Sequence, residues 1–161
     1  MKVKTIIADY QDQQQARHIQ LLLDEYASGP MGGGTPLDPV VRETVVTKLA
    51  RIPHAFSILA YVNDKAIGLA NCFDSFSTFA ARPIINIHDF MVTESHRGEG
   101  VSQKMLKKIE AIAKKKGCCK VTLELLSNNE AAKAAYKKFG FSGYELRPEQ
   151  GQALFWQKIL T

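Results

Sequence analysis

Cysteine is scarce in this chain: Cys72 and the adjacent Cys118 and Cys119 are the only three. An odd number without metal-ligand spacing gives neither a disulfide framework nor a zinc site. They read as buried thiols, and no metal is expected. Glycine (11) and proline (6) are too few among 161 residues for a collagen-like or low-complexity chain. No apolar run approaches the roughly 20 residues of a membrane helix. The basic start Met1-Lys2-Val3-Lys4 meets Asp9, Asp12 and the polar run Gln13 to Gln15 before a secretion signal can form. A cytoplasmic protein with no membrane partner is expected. A chain of this size buries roughly 70% of its unfolded surface, enough for one sizeable core, so residues 1–161 read as a single domain.

Acidic residues are also thin in one region. Between Arg97 and Lys120 the local charge is +6, against +5 for the whole chain. The excess is therefore one patch, which reads either as a solvated lysine face or as a polyanion-binding surface. It has no interleaved aromatics for base stacking and no DNA-binding signature, so no nucleic-acid partner is expected.

Hydrophobic periodicity supplies the order of elements. Val3 to Ala8 reads as a strand. Gln13 to Tyr26 reads as a helix through Ala16, Ile19, Leu22, Leu23 and Tyr26, and Leu37 to Arg51 as a second, with Asp38-Pro39 at its start. Between the helices, Gly29 to Pro36 reads as a mobile loop that lacks the Gly-Lys-Ser/Thr ending of a phosphate loop. Ala55 to Val62 and Ala66 to Phe73 suit a hairpin about Asn63-Asp64-Lys65. A loop at Phe76 to Phe79 leads to Ile84 to Val92, apolar on both faces like a central strand. Gln103 to Lys116 is a helix with Leu106, Ile109, Ile112 and Ala113 on one side and lysines on the other, closed by Gly117. Lys120 to Leu126 follows as a strand and Asn129 to Lys138 as a helix. Two terminal strands are expected, near Tyr144 and over Ala153 to Ile159. The predicted class is a mixed α/β sheet with helices on both faces.

The chemistry concentrates where the central strand runs through Thr93 to Gly98 into a helix start. Free N–H groups there, in a loop whose glycines let a ligand approach, make an anion site reinforced by the helix dipole, and a pyrophosphate fits it.

Arg97-Gly98-Glu99-Gly100-Val101-Ser102 resembles the acyl-coenzyme A signature of the GNAT superfamily of N-acetyltransferases, Gln/Arg-x-x-Gly-x-Gly/Ala, with Ser102 departing at the last position. Asn129-x-x-Ala132, Tyr136 seven residues after the Asn, and Gly140-Phe141 resemble its second pattern. The resemblance implies a centrally splayed sheet in which Ile84 to Val92 and Lys120 to Leu126 part around the pantetheine arm of acetyl-CoA. Backbone groups of Phe90, Met91 and Val92 would then hold the arm, one amide serving as oxyanion donor. Asn129 would support it from the other side, and the basic patch would attract the polyanionic cosubstrate.

An amine near pKa ~10.4 is mostly protonated at neutral pH, so attack on a thioester needs a base, and the leaving thiolate needs an acid. The resemblance puts the acid at Tyr136. It favours His88 as the base, with Asp89 taking that role or anchoring the amine should it be the inward residue, at the point where the diamine acetyltransferases, which Phe76-Ser77-Thr78-Phe79 also resembles, show Glu-Asp. Histidine suits a base at neutral pH. Successive strand residues point to opposite faces, so His88 and Asp89 pair only if a bulge intervenes. Glu124 is a third candidate. His18, His54 and His96 read as surface residues.

The acceptor implied is a small-molecule amine of polyamine, diamine or amino-acid type, held between the first two helices, the glycine loop and the Phe76 to Phe79 loop. Asp24, Glu25, Glu43 and Asp74 are available to greet a cation. A noncatalytic acyl-CoA sensor and a protein acetyltransferase are the alternatives. The resemblance also allows a homodimer, with Phe155-Trp156 fitting an interface or a core strand.

Overall fold

The computed structural model describes residues 2–145 and 147–160. Its strands are β1 (Lys4–Ile7), β2 (Ala55–Val62), β3 (Lys65–Ser77), β4 (Arg82–Val92) and β5 (Lys120–Leu123), and its α-helices are α1 (Gln13–Ser28), α2 (Pro39–Leu49), α3 (Val101–Lys115) and α4 (Glu130–Phe139). The sheet runs β1-β2-β3-β4-β5. Its first three pairings are antiparallel, and β4 and β5 are parallel, joined across α3.

Each helix start has a local cause. The Asp12 carboxylate accepts from the Gln15 N–H to cap α1, and Asp38 accepts from the Val40 N–H to cap α2 with Pro39 in its first turn. In α3, Val101, Met105, Leu106, Ile109 and Ala113 recur at helical spacing and are buried, which leaves the lysines to solvent.

The two faces of the sheet bury separate cores. Ile58, Ala60, Ile67, Cys72, Ile85 and Ile87 meet α3 and Tyr136 of α4, whereas Leu59, Leu69 and Met91 meet Ile19, Leu22 and Val46 of α1 and α2. At 0–1% exposure, Met105, Leu106 and Ile109 each contribute about 1.5–3 kcal/mol. Gly68 admits that close approach, because a Cβ there would sit 2.7 Å from the Met105 sulfur.

Several predicted segments come out differently. The Gly29 to Pro36 loop is tied down: the Gly34 N–H donates to the carbonyls of Ala27 (3.1 Å) and Gly29 (3.0 Å), and a side chain at Gly32 would overlap the Tyr26 backbone. Phe76 and Ser77 belong to β3, whose hairpin with β4 extends beyond the sheet body. β5 stops at Leu123 rather than Leu126. The two terminal strands do not form among the described residues. One hydrogen bond of 3.4 Å, from the Ala153 N–H to the Tyr144 carbonyl, is the link found there, and Leu154, Phe155, Trp156, Ile159 and Leu160 are 73–86% exposed. β-propensity alone makes no strand without a ladder partner and a face to bury.

Candidate active site

The pairing of β4 with β5 ends midway along β4, because β5 stops at Leu123. Their register runs from Ile84↔Lys120 to Ile87↔Leu123 and ends, while β4 continues to Val92. The β5-side edge of residues 88–92 therefore has no strand partner among the described residues. Unpaired peptide groups on a buried strand seek a partner, which makes this edge the natural track for an amide-bearing ligand. One group is already engaged: the Val92 carbonyl accepts from Arg97 Nε at 3.1 Å. Arg97 thus ties the loop to the strand end and keeps its remaining guanidinium N–H groups for a ligand.

The loop beyond holds Gly98 and Gly100 at φ +79°. Gly100 is the N-cap of α3 and no side chain caps this helix, so the first-turn N–H groups around Val101, Ser102 and Gln103 point outward unsatisfied. A Cβ at either glycine would meet nothing of the protein, so the space over the loop is open for a phosphate. Glu99 is exposed beside it, as is most of the lysine face of α3.

His88 and Asp89 sit on a bulge. Asn71 pairs with Asp89 and Cys72 with Ile87, leaving His88 as the extra residue of β4. Both side chains consequently turn to the α1/α2 face, and the phase of the strand changes: Ile85 and Ile87 pack toward α3, and so do Phe90 and Val92. His88 is exposed and lies edge-on to Phe73, with centroids 5.7 Å apart. Asp89 is half-buried, its Oδ2 accepting from the Asn71 side-chain amide at 2.9 Å.

Tyr136 is 7% exposed, edge-on to both Phe90 and Phe141. Burial first, and the nearby Tyr26 phenol second, push its phenol well above the ordinary value, so it stays protonated. Among the described residues its hydroxyl finds no hydrogen-bond partner. Tyr26 of α1 is itself raised by burial and then by the charge of Asp89. Tyr26 is thus near enough to feel the Asp89 charge and to raise the Tyr136 phenol, although Asp89 and Tyr136 lie on opposite sides of the sheet.

The remaining candidates separate. Asn129 caps α4 through its side-chain oxygen, which accepts from the Ala132 N–H at 3.1 Å, leaving the amide donors free. Glu124 is exposed past the end of β5. Asp24 holds the Leu37 N–H (2.8 Å) and Arg42 (3.4 Å), whereas Asp74 pairs with Lys116 through Oδ2 and keeps a buried Oδ1 without a partner among the described residues. Glu25 and Glu43 are exposed. His18 is not a bare surface residue, because its Nδ1 lies 3.0 Å from the Tyr61 hydroxyl. Only Cys72 of the three cysteines is fully buried.

Sequence reasoning missed Tyr26, Asn71 and Ser57. The signal for the last two was present: each is a polar residue within an apolar strand, in Ala55 to Val62 and Ala66 to Phe73.

Comparisons with known proteins agree with the fold. The sequence profile of the acetyltransferase (GNAT) family matches residues 17–141, and the chain belongs to that family. It is 34% identical over 74 residues to a thialysine N-epsilon-acetyltransferase of Bos taurus, a stretch covering 46% of this chain and 43% of that relative. The Sus scrofa protein of the same name is 32% identical over the same length. The matched stretch is thus less than half of these curated relatives. Among solved structures, an aminoglycoside acetyltransferase from an uncultured soil metagenomic sample superposes with TM-score 0.77 at 18% identity over 99% of this chain and 97% of its own. AAC(6')-Iy in complex with a CoA-S-monomethyl-acetylneamine bisubstrate analog reaches 0.78 at 15% identity over 99% of this chain and 100% of its own. No described helix is long and apolar enough to cross a membrane.

Proposed function

We propose that this chain transfers the acetyl group of acetyl-CoA to a primary amine of a small molecule by direct attack of the amine nitrogen. The observation that carries this reading is the bare edge of β4 at residues 88–92 opening beside the uncapped start of α3. Peptide groups of Phe90, Met91 and Val92 would hold the pantetheine arm, and the loop Arg97-Gly98-Glu99-Gly100-Val101-Ser102 would hold the pyrophosphate. Asn129, its cap bond made, would turn its amide donors to the arm.

Asp89 faces the side from which an amine must come. A carboxylate there holds the ammonium and takes its proton, directly or through water, while exposed His88 alongside passes the proton to solvent. The free nitrogen then bonds to the thioester carbon, with a β4 amide on the developing oxyanion. As the C–S bond breaks, Tyr136 gives its proton to the sulfur. Its raised pKa keeps the phenol protonated, and so able to donate, across the neutral range.

The small-molecule preference is supported by the names of the relatives, thialysine N-epsilon-acetyltransferases, and of some structural neighbours, aminoglycoside acetyltransferases, although a ribosomal-protein-alanine N-acetyltransferase is a neighbour too. The test is release of coenzyme A from acetyl-CoA with a panel of thialysine, diamines, polyamines, aminoglycosides and an N-terminal peptide. Saturable turnover with a small amine is expected. No turnover with any amine, or turnover with the peptide alone, sinks the proposal.

A further inference from the structure

Four side chains on the α1/α2 face of the sheet form one hydrogen-bonded line: Tyr10 Oη lies 2.8 Å from Ser57 Oγ, Ser57 Oγ 2.6 Å from Asn71 Oδ1, and Asn71 Nδ2 2.9 Å from Asp89 Oδ2. The direction of every bond follows from the last. An ionised carboxylate only accepts, so Asn71 must turn its NH2 to Asp89 and its carbonyl oxygen to Ser57. Ser57 then spends its single proton on Asn71, and Tyr10 must donate to Ser57. The middle of the line is dry, with Ser57 0% and Asn71 3% exposed, so neither can find water instead. Burying two polar side chains in a strand core costs stability unless they serve each other or something beyond.

Resting on the proposed acetyl transfer, we infer that Asn71 is a positioning residue, locked by Ser57 and Tyr10, that sets the rotamer of Asp89 toward the incoming amine. The bulge makes this possible. In a regular strand without the bulge, His88 would stand opposite Asn71 and Asp89 would fall on the α3 face. With Oδ2 held by Asn71, and no other protein donor among the described residues reaching the carboxylate, Oδ1 is left for the ammonium. Tyr26 of α1, Cys72 of β3 and the adjacent His88 lie near Asp89, and among the described residues no ion pair reaches its carboxylate.

The experiment is a double-mutant cycle in the full chain, using acetyl-CoA and the best amine of the panel. Asn71→Leu keeps the shape and removes the donor, and it should lower kcat/KM for the amine ~10- to 100-fold while the acetyl-CoA Kd stays within about twofold. In an Asp89→Asn background the same change should add little, because the interaction it removes is already lost. Losses that simply multiply in the two backgrounds, or wild-type kcat/KM in Asn71→Leu, would overturn the inference. Should Asn71→Leu not fold, Ser57→Ala decides, since it frees the amide to turn: a smaller loss of the same kind supports positioning, and wild-type kinetics refutes it. If no amine is turned over, acetyl transfer fails separately, and side-chain amide NMR still tests the line. The Asn71 NH2 resonances should shift in Asp89→Asn and sharpen differently in Ser57→Ala; resonances indifferent to both would overturn it.

Discussion

The Phe90 ring meets Tyr136 edge to face, with centroids 5.7 Å apart and planes at 70°. β4 therefore carries in adjacent residues a carboxylate for one face and the packing partner of a phenol on the other. Any ligand lying along the bare edge between them passes both.

Tyr136→Phe keeps the ring contacts with Phe90 and Phe141 and removes the only proton donor proposed for the leaving sulfur. Turnover should fall ~10²-fold or more with an unchanged acetyl-CoA Kd. Equal coenzyme A release by the two proteins would strip Tyr136 of its role.

Gly100→Val places a branched residue at φ +79° and fills the open space over the first turn of α3. Strain of about 1–2 kcal/mol and a blocked approach should together weaken acetyl-CoA binding at least tenfold. Calorimetric titration reads the affinity, and an unaltered value would place the phosphates elsewhere.

His88→Ala and Asp89→Asn separate the two proposed proton acceptors. His88 is exposed and edge-on to Phe73, Asp89 held and half-buried, so Asp89→Asn should cost ~10²-fold or more in kcat/KM and His88→Ala under tenfold. A pH–rate profile that loses its neutral-side dependence in His88→Ala would reverse the assignment.

Cys72 has its thiol pushed up to about 12, chiefly by burial, and Cys118 is also raised. A raised thiol has less reactive thiolate at a given pH, so Cys72 should resist alkylation in the native protein at pH 8 and react on unfolding. Mass spectrometry after a short iodoacetamide pulse reads this. Rapid native labelling of Cys72 would contradict its burial.

Gly68→Ala would press a methyl against the Met105 sulfur, with Ala60 Cβ and the Met91 carbonyl each 3.3 Å away. A loss of about 1–3 kcal/mol is expected, partly recovered by Met105→Ala. Denaturant midpoints measure it, and a neutral Gly68→Ala would mean that α3 rides more loosely than described.

The amphipathic helices and the apolar central strands were legible from residue spacing, because burial on a known face leaves a period in the chain. The bulge at His88 was not: no glycine marks it, and the pairing that makes it lies on β3. The line from Tyr10 to Asp89 was illegible for the same reason, since its members are 14 to 47 residues apart for successive contacts. The apolar run Ala153 to Trp156 misled in the opposite direction, announcing a strand whose partner is absent among the described residues.

A bare strand edge is also adhesive. The stretch of β4 after Ile87 presents the kind of backbone template on which foreign strands grow into aggregates. A ligand lying there would act as a removable guard rail, so the empty protein should be the form most prone to clump, and storage with a thioester or its product should keep it dispersed.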